Sequence, residues 1–127
     1  MQDRVTYEFA IIRVVPKVER EEFINVGVLV FSKRKKYLGI KYTINNERLR
    51  ALSKTCDIKF IEEYLLAWES ICKGAPNSGP IGEFELSDRF RWLAAAKSTI
   101  LQCSPTHPGL CTHPEKELED LFKRYVL

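Results

Sequence analysis

Cys103, His107, Cys111 and His113 put four side chains of zinc-binding type within eleven residues. Zinc takes four such ligands in a tetrahedron, and structural sites usually draw pairs of ligands from separate tight turns. Here a single loop stiffened by Pro105 and Pro108 would have to wrap the ion, so incidental Cys and His in a rigid loop is the better reading. A nucleophile at Cys103 or Cys111, activated by His107, is a second possible chemistry. Such pairs need a third group to orient the base, and none stands at a matching spacing. The sequence therefore calls for no metal, no cofactor and no catalytic residue.

A second set of residues is suited to holding an anion. Arg89, Arg91, Lys97, Ser98 and Thr99 supply the guanidinium, ammonium and hydroxyl donors that a phosphate needs. Ser104 and His107 extend the set into the neighbouring loop, making these seven the candidates for contact with a partner or an anion. No glycine-rich cradle accompanies them. On one helix Arg89 and Arg91 would stand about 200° apart, so a single ligand could not face both. A solvated helix face, with Phe90 and Leu93 turned inward, is the plainer reading.

Two charge runs read more simply. Lys33-Arg34-Lys35-Lys36, with Lys41 following, could touch nucleic-acid phosphates, but basic turns also keep edge strands soluble and no aromatic ladder adjoins this one. Glu19, Glu21 and Glu22 are interrupted by Arg20 and followed by no Asp or His at ligand spacing, so they read as a charged connection.

These residues hang on a recognisable order of elements. Val5 to Val15 carries apolar residues on both pleat faces, as a central strand would. Pro16 ends it. Ile24 to Phe31 resumes with Val26, Val28 and Val30 opposite Leu29 and Phe31, and Gly27 marks a bulge or a close approach. After the basic turn, Tyr37 to Ile44 alternates cleanly, which predicts a hairpin with one face toward water. Asn45 or Asn46 can cap a short helix through Ser53, and Asp57 a longer one closed by Lys73-Gly74. A surface loop over 75–82 precedes a helix capped by Ser87 or Asp88 and running to about Ala96. Thr99 to Cys103 is the fourth strand, Cys103 to Cys111 a loop, and Thr112 with Glu115 a capping box for the last helix. Trp68 and Trp92 lie on apolar helical faces and are expected in the core.

Strands first and helices after give an α+β class: an antiparallel sheet of about four strands with helices packed mainly on one face. At 127 residues one domain, 1–127, is expected, burying roughly two thirds of the surface its unfolded chain exposes. No apolar run approaches the roughly eighteen residues of a membrane span, and Met1-Gln2-Asp3-Arg4 opens no secretory signal. The expected compartment is the cytoplasm, with the four cysteines reduced. The net charge of +3 argues for at most weak binding to nucleic acid. Its excess lies in residues 1–44, with nine Lys and Arg against five Asp and Glu.

Tyr7-Glu8-Phe9-Ala10-Ile11-Ile12-Arg13-Val14-Val15-Pro16, Glu19-Arg20-Glu21-Glu22-Phe23-Ile24-Asn25-Val26-Gly27-Val28, Phe90-Arg91-Trp92-Leu93 with Lys97-Ser98-Thr99-Ile100, and Ser104-Pro105-Thr106-His107-Pro108-Gly109 resemble the bacterial domain-of-unknown-function family 3037. The similarity runs from about Tyr7 to Leu121. The resemblance implies no established activity, cofactor or catalytic residue. It does imply genomic company, because such proteins look like frequent neighbours of HipA-type toxin kinases. The expectation is a small non-catalytic interaction module with a HipA-like kinase as leading partner, docking through Arg89 to Gly109. A nucleic-acid or phosphate-binding module is the runner-up, and a small enzyme comes third. On that reading Ser104→Ala or His107→Ala should leave the fold intact, since loop residues seldom anchor a core.

Overall fold

The computed structural model describes residues 3–95 and 99–127. Five antiparallel strands form one sheet: β1 Val5–Val14, β2 Ile24–Ser32, β3 Tyr37–Tyr42, β4 Leu101–Cys103 and β5 His107–Cys111, in the order β3-β2-β1-β4 with β5 also beside β1. Among the described residues four α-helices accompany it: α1 Asn46–Leu52, α2 Ile58–Lys73, α3 Leu86–Ala94 and α4 Pro114–Tyr125. This is the α+β class that the element order implied.

β1 is central because both its faces are apolar. Ile12 and Val14 enter a core with Leu29, Phe31 and Leu38 under α1, α2 and α3, where Trp68 is 2% exposed. Val5, Tyr7 and Phe9 enter a second core with Val28, Val30 and the Leu118, Leu121 and Phe122 stripe of α4. Three helices thus cover one face and α4 the other. The second face of β3 meets α4 rather than water: Lys41 pairs with Glu119 at 2.5 Å and lies 5.2 Å from the Phe122 ring centroid.

A β-bulge resets the alternation of β2. Ile12 pairs with Gly27 but Arg13 pairs with Asn25, so Val26 is the extra residue. Val26 joins Leu29 and Phe31 in the three-helix core instead of lining up with Val28 and Val30, as strict period two had it. Gly27 is required here, since a Cβ would come within 2.7 Å of the Lys41 carbonyl and 2.9 Å of Tyr42 Cβ.

The expected loop from Cys103 to Cys111 is instead the sheet edge. β4 pairs with β1 at Val14, Arg13 and Ile12, β5 pairs from Phe9 down to Val5, and Ser104 bridges the gap between them. The Ile11 N–H donates to Ser104 Oγ at 2.8 Å, and the Ser104 N–H donates to the Ile11 carbonyl at 2.8 Å. Odd residues of β1 therefore bond to this edge. Pro108, opposite Glu8, turns its donor-less nitrogen outward, which blunts the edge against further strand pairing.

The caps of α1 and α2 follow expectation: Asn45 Oδ1 accepts from the Arg48 N–H and Asp57 Oδ1 from the Phe60 N–H, while Gly74 closes α2 in the left-handed region. Those of α3 and α4 do not. Glu85 and His113 occupy the cap positions without side-chain cap bonds, so neither Ser87 nor Asp88 caps α3 and no capping box forms at Thr112. Tertiary packing of Phe90 and Leu93, and of the α4 stripe, sets those helix starts. Trp92 is 38% exposed rather than buried, because Phe90 and Leu93 already occupy the inner face of α3.

Candidate functional site

The five anion candidates that lie among the described residues, Arg89, Arg91, Thr99, Ser104 and His107, are not gathered in one place. Arg89 closes α2: Nη1 donates to the Ile71 and Cys72 carbonyls at 2.9 and 3.0 Å, and Nε to the Phe84 carbonyl at 3.1 Å. Carbonyls in the last turn of a helix lack intrahelical donors and lie at the negative end of its dipole, so a guanidinium there is structural. Arg91 makes a two-pronged pair with Glu8, Nη1 to Oε1 at 2.8 Å and Nη2 to Oε2 at 2.5 Å. Thr99 Oγ1 donates to the Leu101 carbonyl at 2.7 Å. Ser104 is 2% exposed and its hydroxyl serves the backbone. His107 is exposed on the α4 side, its ring 5.2 Å from that of Phe9, whereas Arg91 reaches Glu8 on the α3 side. Lys97 and Ser98 lie outside the described residues.

The Cys and His array is divided by the sheet. Cys103 Sγ donates to the Leu93 carbonyl at 3.5 Å on the α3 side, and Cys111 is buried in the α4 core. Burial pushes the Cys111 thiol up, and the Glu117 and Glu115 carboxylates push it further, which disfavours the thiolate a nucleophile requires. His113 lies 4.0 Å from Glu115 at the start of α4. Among the described residues no three metal-ligating side chains converge.

Two tyrosines are tuned toward permanent protonation. Burial, with Glu117 as neighbour and hydrogen-bond partner, pushes Tyr7 up to about 12. Burial and a 3.0 Å hydrogen bond to Glu69 push Tyr42 up to about 12. Both are donors that pin a strand to a helix.

The unsatisfied chemistry lies elsewhere, on the α4-side face where α4 ends. Because of the bulge, Arg13 and Asn25 are cross-strand partners there. Arg13 Nε and Asn25 Oδ1 are buried without hydrogen-bond partners among the described residues, while Asn25 Nδ2 donates to the Tyr125 carbonyl at 3.1 Å. The Arg13 guanidinium lies 4.1 Å from the centroid of the Phe23 ring, a cation–π contact. Arg13, Val15, Val18, Glu21, Phe23 and Gln102 line a recess of about 270 Å³, whose Val18 and Phe23 are 45% and 44% exposed. Arg13 makes no ion pair among the described residues. Period-two reading missed this pairing because it put Val26 on that face; Gly27 was the one signal that the phase changes.

A second hollow, of about 350 Å³, lies across the 3-10 turn Val18–Arg20. Pro16, Lys17, Arg20 and Glu22 form one wall and Leu52, Ser53, Lys54 and Thr55, the α1–α2 connection, the other. Arg20 Nε is hydrogen-bonded to Glu22, which accounts for the raised pKa of that guanidinium.

A family described as protein of unknown function (DUF3037) matches residues 9–126, nearly the whole chain. The chain belongs to this family. The match contains the bulge, the recess and nearly all of both cores, with Val5 and Tyr7 of the second core lying before it. No curated protein and no solved structure matches the chain. No helix among the described residues is long and apolar enough to cross a membrane.

Proposed function

We propose that this chain is a non-catalytic interaction module that docks a protein partner at the Arg13–Phe23 recess. The observation that carries the reading is a guanidinium stacked on an exposed phenylalanine in the wall of the recess. Nε itself is enclosed, so a docked carboxylate would bond to the terminal nitrogens of the guanidinium, and a hydrogen bond to a charged group contributes about 1.5–3 kcal/mol. Val18 and Phe23 supply apolar contact area, and Arg13 supplies positive charge with no ion-pair partner of its own among the described residues. The occupant that suits this combination is a partner segment setting an apolar side chain beside a carboxylate. Glu21, on the rim, would favour a carboxylate that approaches from the Gln102 side.

The candidate partner is a HipA-like toxin-type kinase, on the family resemblance. Where such a kinase is encoded beside this gene, its copurification with wild type and with an Arg13→Gln, Phe23→Ser double variant of equal melting temperature tests both parts. Recovery with wild type and loss with the variant is expected. Equal recovery refutes the recess as the docking surface, and no recovery with wild type refutes the kinase as partner.

A further inference from the structure

We propose that the hollow between the 3-10 turn Val18–Arg20 and the α1–α2 connection is a binding site for a phosphomonoester. It holds three cations, Lys17, Arg20 and Lys54, and one carboxylate, Glu22, so its lining carries a surplus of two positive charges. Glu22 is engaged at Arg20 Nε, which leaves the two terminal nitrogens of that guanidinium for a ligand. Lys17 and Lys54 make no ion pair and no side-chain hydrogen bond among the described residues. Ser53 Oγ and Thr55 Oγ1, 3.4 Å apart, bond only to each other among the described residues. Both hydroxyls can rotate to donate, so the two walls together present guanidinium, ammonium and hydroxyl donors around one space.

Charge selects among anions. A phosphomonoester carries about −1.5 to −2 at neutral pH and offers three acceptor oxygens, matching the surplus of the hollow. A phosphodiester or a carboxylate carries only one negative charge and would leave a lysine unneutralised. At about 350 Å³ the hollow has room for a phosphoryl group and the atoms that bear it. Pro16 and Leu52 give it an apolar flank for those atoms. The phosphomonoester can belong to a small metabolite or to a phosphoserine on a protein; the recognised chemistry is the same. This site is separate from the docking recess, since the 3-10 turn places Val18 on one side and Arg20 on the other.

The test is titration calorimetry of the full chain with phenyl phosphate, dimethyl phosphate and a phosphoserine peptide of neutral flanks. Wild type should bind phenyl phosphate saturably, dimethyl phosphate at least about tenfold more weakly, and lose affinity as salt rises. A Lys17→Gln, Lys54→Gln double variant should weaken phenyl phosphate by more than about tenfold at unchanged melting temperature, because two charge-assisted bonds are removed. Lys123→Gln on α4 and Phe23→Ser in the recess should change nothing, so failure here is distinguishable from failure of the docking reading. Tighter binding of the peptide than of phenyl phosphate assigns the protein-borne source, and equal binding assigns a small phosphomonoester. Absence of saturable binding to any phosphomonoester, equal binding of dimethyl phosphate, or an unaffected double variant overturns the proposal.

Discussion

Ser104→Ala removes a single oxygen from a residue that is 2% exposed, and that oxygen is the acceptor for the Ile11 N–H. Ile11 lies in the middle of the central strand, at the point where β4 has ended and β5 has not begun. No ladder carbonyl is available to replace the hydroxyl, so the variant leaves a desolvated N–H without a partner, at a cost of about 1–3 kcal/mol. The hydroxyl also donates to the Pro105 carbonyl at 2.9 Å, a bond that holds the crossover between the two strands. With an unfolding entropy of roughly 2.1 cal/mol/K per residue, 1 kcal/mol moves the melting temperature of a chain this long by about 4 °C. A fall of about 4–12 °C is therefore expected in a thermal melt followed by circular dichroism, with an unchanged urea m-value. The Ile11 amide should also exchange faster with deuterium. His107→Ala, three residues on but exposed, should cost clearly less. A Ser104→Ala melting temperature within about 1 °C of wild type, or a His107→Ala fall as large as that of Ser104→Ala, would refute the assignment of Ser104 as the stitch of the sheet edge.

Gly27→Ala should destabilise by about 1–3 kcal/mol, because its Cβ would stand 2.7 Å from a backbone carbonyl of the neighbouring strand; a neutral effect in urea titration would mean that the bulge can open. The two arginines of α3 should separate sharply. Arg89→Met leaves the Cys72 and Phe84 carbonyls without the donor that Arg89 supplies and should cost about 1–3 kcal/mol, whereas Arg91→Met breaks an exposed pair worth about 1 kcal/mol or less that weakens with salt. Equal losses in chemical denaturation would contradict that division. Stability should decline as pH rises above about 9. Tyr7, Tyr42 and Cys72 are pushed up to about 12 in the fold, from ordinary values of 10.0 for the tyrosines and 9.0 for the thiol. The folded state therefore holds these protons more tightly than the unfolded chain, and the stability they contribute is complete below pH 9 and is lost progressively toward pH 12. A melting temperature flat over that range would show that these groups titrate alike in both states.

Local chemistry in the sequence was enough to place β1, β2, β3, α1 and α2, because their signals are short-range. Two-faced apolar runs, Asn45, Asp57 and Gly74 act within a few residues of themselves. The α+β class and the family followed from the same runs and from blocks spread along nearly the whole chain. What the linear chain could not decide was any feature set by a distant partner. The segment 103–111 reads as a loop because of its prolines and glycine, and 107–111 becomes a strand only because Val5 to Phe9 of β1 pair with it while Ser104 joins Ile11 at the gap before it. Arg89 looks like a surface cation until the end of α2, seventeen residues upstream, presents carbonyls to it. The bulge that turns Asn25 toward Arg13 is marked in sequence by Gly27 alone, and the recess it helps form lies where α4 ends at Tyr125. Pairing across the sheet and the length of the covering helix are tertiary facts, and they decide which side chains are left with donors and charges still unmet.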